Sequence, residues 1–168
     1  MIYLRKLTID DFDYLNSVEN NKSFWKYSFK NKYYSRDELF QFIYDSQLPV
    51  EQTNQIRFVV CKIETDEPLG FIDLFEIDFI KSNAGVSIII SNPENRSKGY
   101  GKLSLKKLIQ FAKEELKIKN LYCNISNDNI SSLNFFKSFG FKEILQKNKL
   151  YASSIQNNYE SVIQLQCT

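Results

Sequence analysis

Histidine is absent from this sequence of 168 residues. Without it the chain has no means to build a Ser-His-Asp or Cys-His catalytic centre, or a zinc site with histidine ligands. A general base must therefore be a carboxylate, a tyrosine, a bound water molecule or a chain terminus. Aspartate, glutamate and tyrosine are accordingly the first side chains to consider for proton transfer.

Cysteine is scarce as well, with three residues that lie far apart in the chain. Cys61, Cys123 and Cys167 each stand among strand-forming residues, which favours buried thiols over metal ligands or a disulfide. We therefore expect no metal site.

An excess of charge of either sign is also missing. The 22 lysine and arginine residues nearly balance the 20 aspartate and glutamate residues, and a net charge of +2 gives no reason to expect a nucleic-acid partner. No apolar run approaches the ~20 residues of a membrane span, and residues 1–6 lack the apolar core of a secretory signal. We expect a cytoplasmic protein with no membrane partner, folded as a single domain over residues 1–168.

Glycine is rare, yet two of the five glycines, Gly99 and Gly101, stand in one loop, residues 92–101, with the sequence Asn-Pro-Glu-Asn-Arg-Ser-Lys-Gly-Tyr-Gly. The β-branched run 86–90 before this loop predicts a strand. Apolar residues at helical spacing after it predict a helix, namely Leu105, Leu108, Ile109, Ala112 and Leu116. A glycine loop at a helix start can present several backbone N–H groups to a phosphate. An ordinary helix start with a glycine turn is the alternative, because neither the P-loop nor the G-x-G-x-x-G pattern is present.

The first part of the chain predicts one strand, two helices and an aromatic connection between the helices. Residues 2–7 have the pattern of a strand, and Thr8 can cap the helix that follows. Ser35 and Glu38 form a capping box at the start of a second helix. Several aromatic residues lie between the helices, in residues 20–34, where they either pack against the edge of the core or line a substrate cleft.

The middle of the chain predicts three strands over residues 57–64, 69–78 and 84–91. Short turns join these strands, so we expect an antiparallel meander. A helix over residues 101–117 and a strand over residues 120–126 follow. This order of strand, helix and strand implies a right-handed crossover between two parallel neighbours.

The end of the chain predicts a helix over residues 130–139, closed by Gly140, and a final antiparallel pair over residues 141–151 and 159–166. The predicted fold is therefore of the α/β class. It has a mixed, mostly antiparallel sheet and about four helices.

The motif Arg96-x-x-Gly99-x-Gly101 is similar to the Q/R-x-x-G-x-G/A pyrophosphate loop of the GNAT superfamily of N-acetyltransferases, which bind acyl-coenzyme A. Further stretches, in the same order, resemble the ribosomal-protein and spermidine acetyltransferase branch of that superfamily. These are Leu4-Arg5-x-Leu7-Thr8-x-Asp10-Asp11, then Pro93-Glu94 before the loop, then Asn129-x-x-Ser132 followed by Phe139-Gly140-Phe141. Because the resemblance covers nearly the whole chain, the chain is identified as a member of the superfamily.

The resemblance implies a GNAT fold, in which two parallel central strands, here residues 84–91 and 120–126, splay apart to admit acetyl-coenzyme A (acetyl-CoA) as co-substrate. The first strand would pair with the pantetheine arm, and N–H groups of the loop would hold the pyrophosphate. Lys98 and Lys102 are either partners of the phosphates or solvated surface lysines. The coenzyme-binding residues implied in this way are Ile88, Ile90, Arg96, Ser97, Lys98, Gly99, Tyr100, Gly101, Lys102, Asn129 and Ser132.

The implied reaction transfers an acetyl group from acetyl-CoA to a primary amine, with main-chain N–H groups near residues 88–90 as donors to the developing oxyanion. Members of the branch often place a tyrosine four residues before the glycine of L-G-F as the acid for the leaving thiolate. Phe136 stands there in this chain and has no proton to donate. Another group serves instead, or the thiolate leaves without protonation, or the activity is weak.

Residues 57–60 and 70–77 resemble the spermidine acetyltransferases, which points to a polyamine acceptor such as spermidine. In those enzymes acidic residues on the strand before the coenzyme strand face the polyamine, and Asp73 and Glu76 stand at those positions as the candidate catalytic residues. The two positions have opposite parity, so they share a face of the sheet only if a bulge intervenes. Alternatively, both are ordinary outward-facing strand residues.

Other acceptors and roles stay open. Lys30 and Lys32 follow Phe29 where the spermidine enzymes carry acidic residues for a regulatory polyamine, and such a basic stretch would repel a polycation. The acceptor could be a protein N-terminus, an amino sugar or an amino acid. A non-catalytic coenzyme-binding sensor and a packing domain without a coenzyme site are the remaining alternatives. The resemblance also suggests a homo-oligomer.

Overall fold

A computed structural model of the protein describes residues 1–28, 32–147 and 162–168. Its strands are β1 (Ile2–Lys6), β2 (Ile56–Lys62), β3 (Pro68–Asp78), β4 (Asn83–Ile90), β5 (Asn120–Ser126), β6 (Lys142–Lys147) and β7 (Val162–Cys167). Its helices are α1 (Phe12–Glu19), α2 (Lys22–Ser28), α3 (Arg36–Asp45), α4 (Val50–Thr53), α5 (Tyr100–Glu114) and α6 (Ile130–Lys137). In the described part of the chain, the strands form one sheet in the order β1-β2-β3-β4-β5-β7-β6.

The order of the strands confirms the predicted topology. β1, β2, β3 and β4 pair antiparallel in chain order, which is the expected meander. β4 and β5 are parallel neighbours connected through α5, as the order of strand, helix and strand predicts. β6 and β7 form the expected antiparallel pair, with β7 inserted between β5 and β6. Residues 148–151 and 159–161 of the predicted pair lie outside the described residues.

In the described residues, the structure contains two short α-helices, α2 and α4, in addition to the four helices that the sequence predicts. α2 lies in the aromatic connection, where Trp25 is buried and its indole N–H donates to the Glu19 carbonyl at 3.1 Å. α4 follows Pro49 and ends at Asn54, whose φ of 50° is left-handed. Both helices are held by contacts with neighbouring segments, which an amphipathic pattern does not reveal.

Two layers of apolar side chains pack against opposite faces of the sheet. On the side covered by α5 and α6, called here the α5 face, Leu74 of β3 shares a buried cluster with Leu108. On the other side, called here the α1 face, Phe71 of β3 shares a buried cluster with Leu15 of α1. Because successive side chains of a strand point to opposite faces, these two clusters fix which residues of the central strands line each side.

The cysteines lie mainly in the interior, as expected. Cys61 and Cys123 are buried free thiols, and Cys167 is half-buried. Across residues 1–28, 32–147 and 162–168, no group of three or more cysteine, aspartate or glutamate side chains gathers into a possible metal site. Among the described helices, none is both long enough and apolar enough to cross a membrane.

Candidate functional site

β4 and β5 run together at one end and separate at the other. Within the described residues they pair only from Asn83 to Gly85, opposite Asn120 to Tyr122. Beyond Gly85 no pairing between the two strands is found in the described residues, which agrees with the splay that the resemblance implies. A gap therefore opens between the second half of β4 and the second half of β5.

Backbone groups of β4 are directed into this gap. The Ser91 N–H donates to the Leu69 carbonyl at 2.9 Å, so Ser91 and every second residue before it bond towards β3. The N–H and C=O groups of Ile88 and Ile90 consequently point the other way, towards the gap. The Ile90 carbonyl accepts a hydrogen bond of 3.1 Å from Nε of Arg96.

The loop after β4 has the shape of an anion-binding nest. Ser97 and Gly99 have φ angles of 59° and 87°, while Lys98 between them has a negative φ. Such alternation directs successive N–H groups to the same side of the chain. α5 begins at Tyr100, so the positive end of its dipole adds to the same field. Apart from Gly99 itself and its two chain neighbours, no described atom lies within 4 Å of the point where a Cβ on Gly99 would stand.

The side chains of the loop are mostly accessible. Arg96, Ser97, Lys98 and Lys102 are exposed at this end of the gap, and Tyr100 is half-buried. The guanidinium of Arg96 also lies 5.8 Å from the centre of a ring on α2, that of Phe24. The residues that the sequence assigns to the pyrophosphate are thus gathered beside the backbone of β4.

β5 borders the gap on the side opposite β4, and α6 begins shortly after β5. The side chain of Asn129 accepts a hydrogen bond of 3.2 Å from the Ser132 N–H and so caps this helix. Phe136, at the position where relatives carry a tyrosine, is 4% exposed. Its ring packs edge to face against Phe135 and Phe141, each with a centroid distance of 5.2 Å. Phe136 therefore belongs to the apolar core.

A bulge in β3 changes the side to which Glu76 points. The register shifts between Phe75 and Asp78, and Glu76 has a φ of 48°. The exposed Glu76 carboxylate accepts a hydrogen bond from the hydroxyl of Tyr122 on β5. Tyr122 points to the α1 face, since its neighbours Leu121 and Cys123 belong to the cluster on the α5 face. The bulge that the sequence argument required is thus present.

Asp73 lies on the same face but is 6% exposed. It stands directly opposite Arg57 on β2 and Ser87 on β4. Arg57 donates from Nε to Oδ1 at 2.7 Å and from Nη2 to Oδ2 at 2.9 Å, and the Ser87 hydroxyl donates to Oδ2 at 2.8 Å. Of the two predicted carboxylates, Glu76 is exposed on the α1 face, whereas both oxygens of Asp73 are occupied by neighbouring side chains. The alternative that both are outward-facing residues is therefore wrong for Asp73.

Arg57 is the centre of this buried network. It also donates from Nη1 to the Glu19 carboxylate at 2.5 Å, and its guanidinium lies 5.0 Å and 5.2 Å from the rings of Phe42 and Phe71. Burial disfavours its charge, but the attraction of Asp73 and the hydrogen bonds to Asp73 and Glu19 outweigh it. The pKa of Arg57 is consequently raised above its ordinary value.

The sequence argument missed Arg57 and Ser87 as the partners of Asp73. A usable signal was present, because the short turns of the meander nearly fix the register of the hairpins. Counting outward from those turns brings Arg57, Asp73 and Ser87 side by side across three strands, where cross-strand partners interact.

A splayed mixed sheet with an anion-binding loop after its first splayed strand defines an acyl-coenzyme A-dependent N-acyltransferase. The family model described as acetyltransferase (GNAT) domain matches residues 2–142, and the chain belongs to this family. The predicted class of enzyme, an acetyl-CoA-dependent N-acetyltransferase, is thereby confirmed.

Individual relatives are similar along almost the whole chain. The spermidine N(1)-acetyltransferase of Escherichia coli strain K12 is 27% identical over 165 residues, covering 98% of this chain and 84% of the relative. A Vibrio cholerae spermidine N-acetyltransferase in complex with CoA and spermine has a TM-score of 0.87 at 23% identity, covering 99% of this chain and 94% of that one. A dodecameric structure of spermidine N-acetyltransferase from Vibrio cholerae has a TM-score of 0.79 at 24% identity, covering 99% and 92%. The two structures show the GNAT fold.

Proposed function

We propose that this protein transfers the acetyl group of acetyl-CoA to a primary amine of a polyamine such as spermidine. The observation that carries the proposal is the gap between β4 and β5, with the backbone groups of Ile88 and Ile90 directed into it and a nest of N–H groups beside it. The acceptor class comes from the spermidine acetyltransferase of Escherichia coli, which aligns with nearly the whole chain.

In this proposal the pantetheine arm takes the position of a further strand beside β4. Its amides bond to the backbone of Ile88 and Ile90, whose groups point towards the gap. The N–H groups of residues 96–101 hold the pyrophosphate, and Lys98 and Lys102 contribute positive charge. The open space at Gly99, where a Cβ would meet no atom beyond those of its chain neighbours, supports a fit to the coenzyme.

The thioester end of the coenzyme then lies near the closed end of the gap. Asn129 and Ser132, at the start of α6, contact the coenzyme arm in this proposal. The acceptor amine approaches from the α1 face, where the exposed carboxylate of Glu76 and the hydroxyl of Tyr122 are bonded to each other. A polycation requires such a carboxylate, and a carboxylate can also take up the amine proton through a water molecule.

The chemistry requires little beyond positioning. The neutral amine attacks the thioester carbon, a C–N bond forms, and the oxyanion is stabilised by a main-chain N–H group of Ile88 or Ile90, because that of Ile89 bonds to β3. The C–S bond then breaks and its electron pair stays on sulfur. Because a thiol titrates near ~8.5, the thiolate is a tolerable leaving group without an acid at Phe136. The proton lost by nitrogen passes through water to Glu76.

Release of the free thiol from acetyl-CoA tests the proposal directly. The purified protein is assayed with spermidine, spermine, putrescine, amino sugars, amino acids and short peptides. We expect turnover with spermidine or spermine, whereas turnover only with sugars, amino acids or peptides would contradict the polyamine acceptor. Gly99→Asp places a negative charge in the nest, so we expect it to abolish coenzyme binding. Unchanged binding would remove the loop from the coenzyme site.

A second candidate function follows from the buried ring of Phe136. A protein without the usual acid could bind acetyl-CoA as a sensor and transfer nothing. Calorimetric binding of acetyl-CoA together with no thiol release across the whole panel would support this role. Release with any amine would exclude it.

Assembly into a homo-oligomer is part of the proposal, because the Vibrio cholerae enzyme forms a dodecamer. Light scattering coupled to size-exclusion chromatography measures the mass against the 19.8 kDa of one chain. Spermidine added during the same run tests whether a polyamine changes the assembly. Of the two basic residues that argue against such regulation, Lys30 lies outside the described residues, and Lys32 forms an ion pair of 2.8 Å with Glu38.

A further inference from the structure

Ser87 is the exposed end of the buried network on the α1 face. It lies in β4 directly opposite Asp73, and its hydroxyl donates to Oδ2 of Asp73 at 2.8 Å. A serine hydroxyl has one proton and two lone pairs. Since the proton is committed to Asp73, only lone pairs remain for a molecule that approaches from solvent. Ser87 therefore presents an oriented hydrogen-bond acceptor.

The orientation of Ser87 is fixed by the residues behind it. Arg57 donates to both oxygens of Asp73, so this carboxylate can only accept the Ser87 proton and cannot rotate away. Arg57 is held in turn by Glu19 of α1. The Ser87 hydroxyl is therefore held by a series of hydrogen bonds to charged groups, from Asp73 to Arg57 to Glu19. Hydrogen bonds to charged groups are stronger than those between neutral groups.

The position of Ser87 matches the reacting end of the proposed coenzyme site. It lies two residues beyond Gly85, where β4 and β5 part, and immediately before Ile88. The backbone of Ile88 faces the gap, while the side chain of Ser87 is exposed on the α1 face. Ser87 is thus the exposed side chain of β4 between the end of the paired part of the strand and the first backbone groups directed into the gap.

We propose that Ser87 accepts a hydrogen bond from the attacking amine and so directs the nitrogen lone pair at the thioester carbon; this inference rests on the proposed function. The nitrogen forms the new C–N bond, the C–S bond breaks with its electrons on sulfur, and the released proton passes through water to Glu76. Ser87 holds one N–H of the amine throughout and takes up no proton itself. It is a hydrogen-bond acceptor that orients the substrate.

Ser87→Ala removes this acceptor from an exposed position and therefore spares the core. We expect kcat for spermidine to fall by about ten- to a hundredfold, the range for losing one hydrogen bond to a charged or charging group. The KM for acetyl-CoA should not change, because binding of the coenzyme does not involve the amine. A purely structural role of Ser87 would not lower kcat for spermidine while leaving the KM for acetyl-CoA unchanged.

Two further variants complete the experiment. Ser87→Thr keeps the hydroxyl on a residue that strands favour, and we expect it to restore most of kcat. Ser17→Ala removes an exposed hydroxyl that donates to the Tyr14 carbonyl on α1, and it serves as the matched control. Thermal unfolding of all variants verifies that each is folded.

The outcomes separate this inference from the function on which it rests. If the wild type releases thiol with no polyamine, the proposed function fails and the role of Ser87 fails with it. If the wild type is active and Ser87→Ala matches it in kcat, the role of Ser87 alone is overturned. Equal loss in folded Ser87→Ala and Ser87→Thr would also overturn it, since the hydroxyl would then be irrelevant.

Discussion

At the scale of single residues, Gly99 and Gly101 stand two positions apart but differ in backbone conformation, which is left-handed at Gly99 and helical at Gly101. Gly99 has a φ of 87°, whereas Gly101 lies in the first turn of α5, where an added Cβ would meet Phe135 at an ordinary 3.5 Å. We expect Gly99→Ala to lower the free energy of unfolding by about 1 kcal/mol, the strain of a left-handed L-residue. Gly101→Ala should raise it by about 0.5 kcal/mol, because alanine is the better helix former. Urea unfolding of both variants measures this, and effects of the same sign would contradict it.

Phe136 is needed either for the chemistry of acetyl transfer or for packing of the core. Because it is enclosed by Phe135 and Phe141 and has no proton to donate, we expect a packing role. Phe136→Leu should lower the free energy of unfolding by about 1–2 kcal/mol and change the rate of acetyl transfer by less than about twofold. Thermal unfolding and thiol release measure the two effects. A folded variant that has lost turnover would show that the ring is needed at the reacting centre.

At the scale of elements, a carboxylate joins β1 to the start of α1. Both oxygens of the buried Asp11 accept bonds of 2.7 Å from the Arg5 guanidinium, and the Thr8 N–H donates to it at 2.8 Å. Burial raises the pKa of Asp11, but the hydrogen bonds from Arg5 and Thr8 and the charge of Arg5 outweigh burial. The pKa is therefore lowered below 3.8.

The pH dependence of stability follows from the direction of that shift. A lowered pKa means that the contribution of Asp11 is complete above pH 3.8 and is lost as the pH falls through the lower value of the folded state. We expect Asp11→Asn to cost about 2–3 kcal/mol at pH 7, and the difference from wild type to shrink below about pH 4. Denaturant unfolding between pH 2 and pH 7 measures this, with the exposed Asp13→Asn as control. A difference that is constant with pH would contradict it.

The elements also show how far local patterns determine the fold. Period and turn residues were enough to predict the meander, the crossover and the capping box of α3, because each depends on neighbours in the chain. The bulge at Glu76 was not predictable, since a non-glycine residue at a φ of 48° is imposed by packing around it. The pairing of Asp73 with Arg57 depends on the register between β2 and β3. A search for acidic residues alone does not reveal this partner.

At the scale of the whole molecule, the sheet consists of two parts with a narrow junction. β1 to β4 form one part, and β5, β7 and β6 form the other, while in the described chain β4 and β5 share pairing from Asn83 to Gly85 alone. α5 crosses the α5 face and packs against β1, β3 and β4. A coenzyme arm in the gap would add bonds on the open side of β4 and so connect the two parts more firmly.

Acetyl-CoA should therefore stabilise the fold as a whole and protect one strand in particular. At a concentration about a hundred times its Kd, a ligand adds about 2.7 kcal/mol, which raises the Tm of a domain of this size by about 5–10 °C. We expect hydrogen exchange to slow at the amides of Ile88 and Ile90, whose N–H groups point into the gap, more than at Ile89, which already bonds to β3. Gly99→Asp should show neither effect. Protection spread evenly over β4, or a rise in Tm that persists in Gly99→Asp, would mean that the coenzyme binds elsewhere and that the gap has another use.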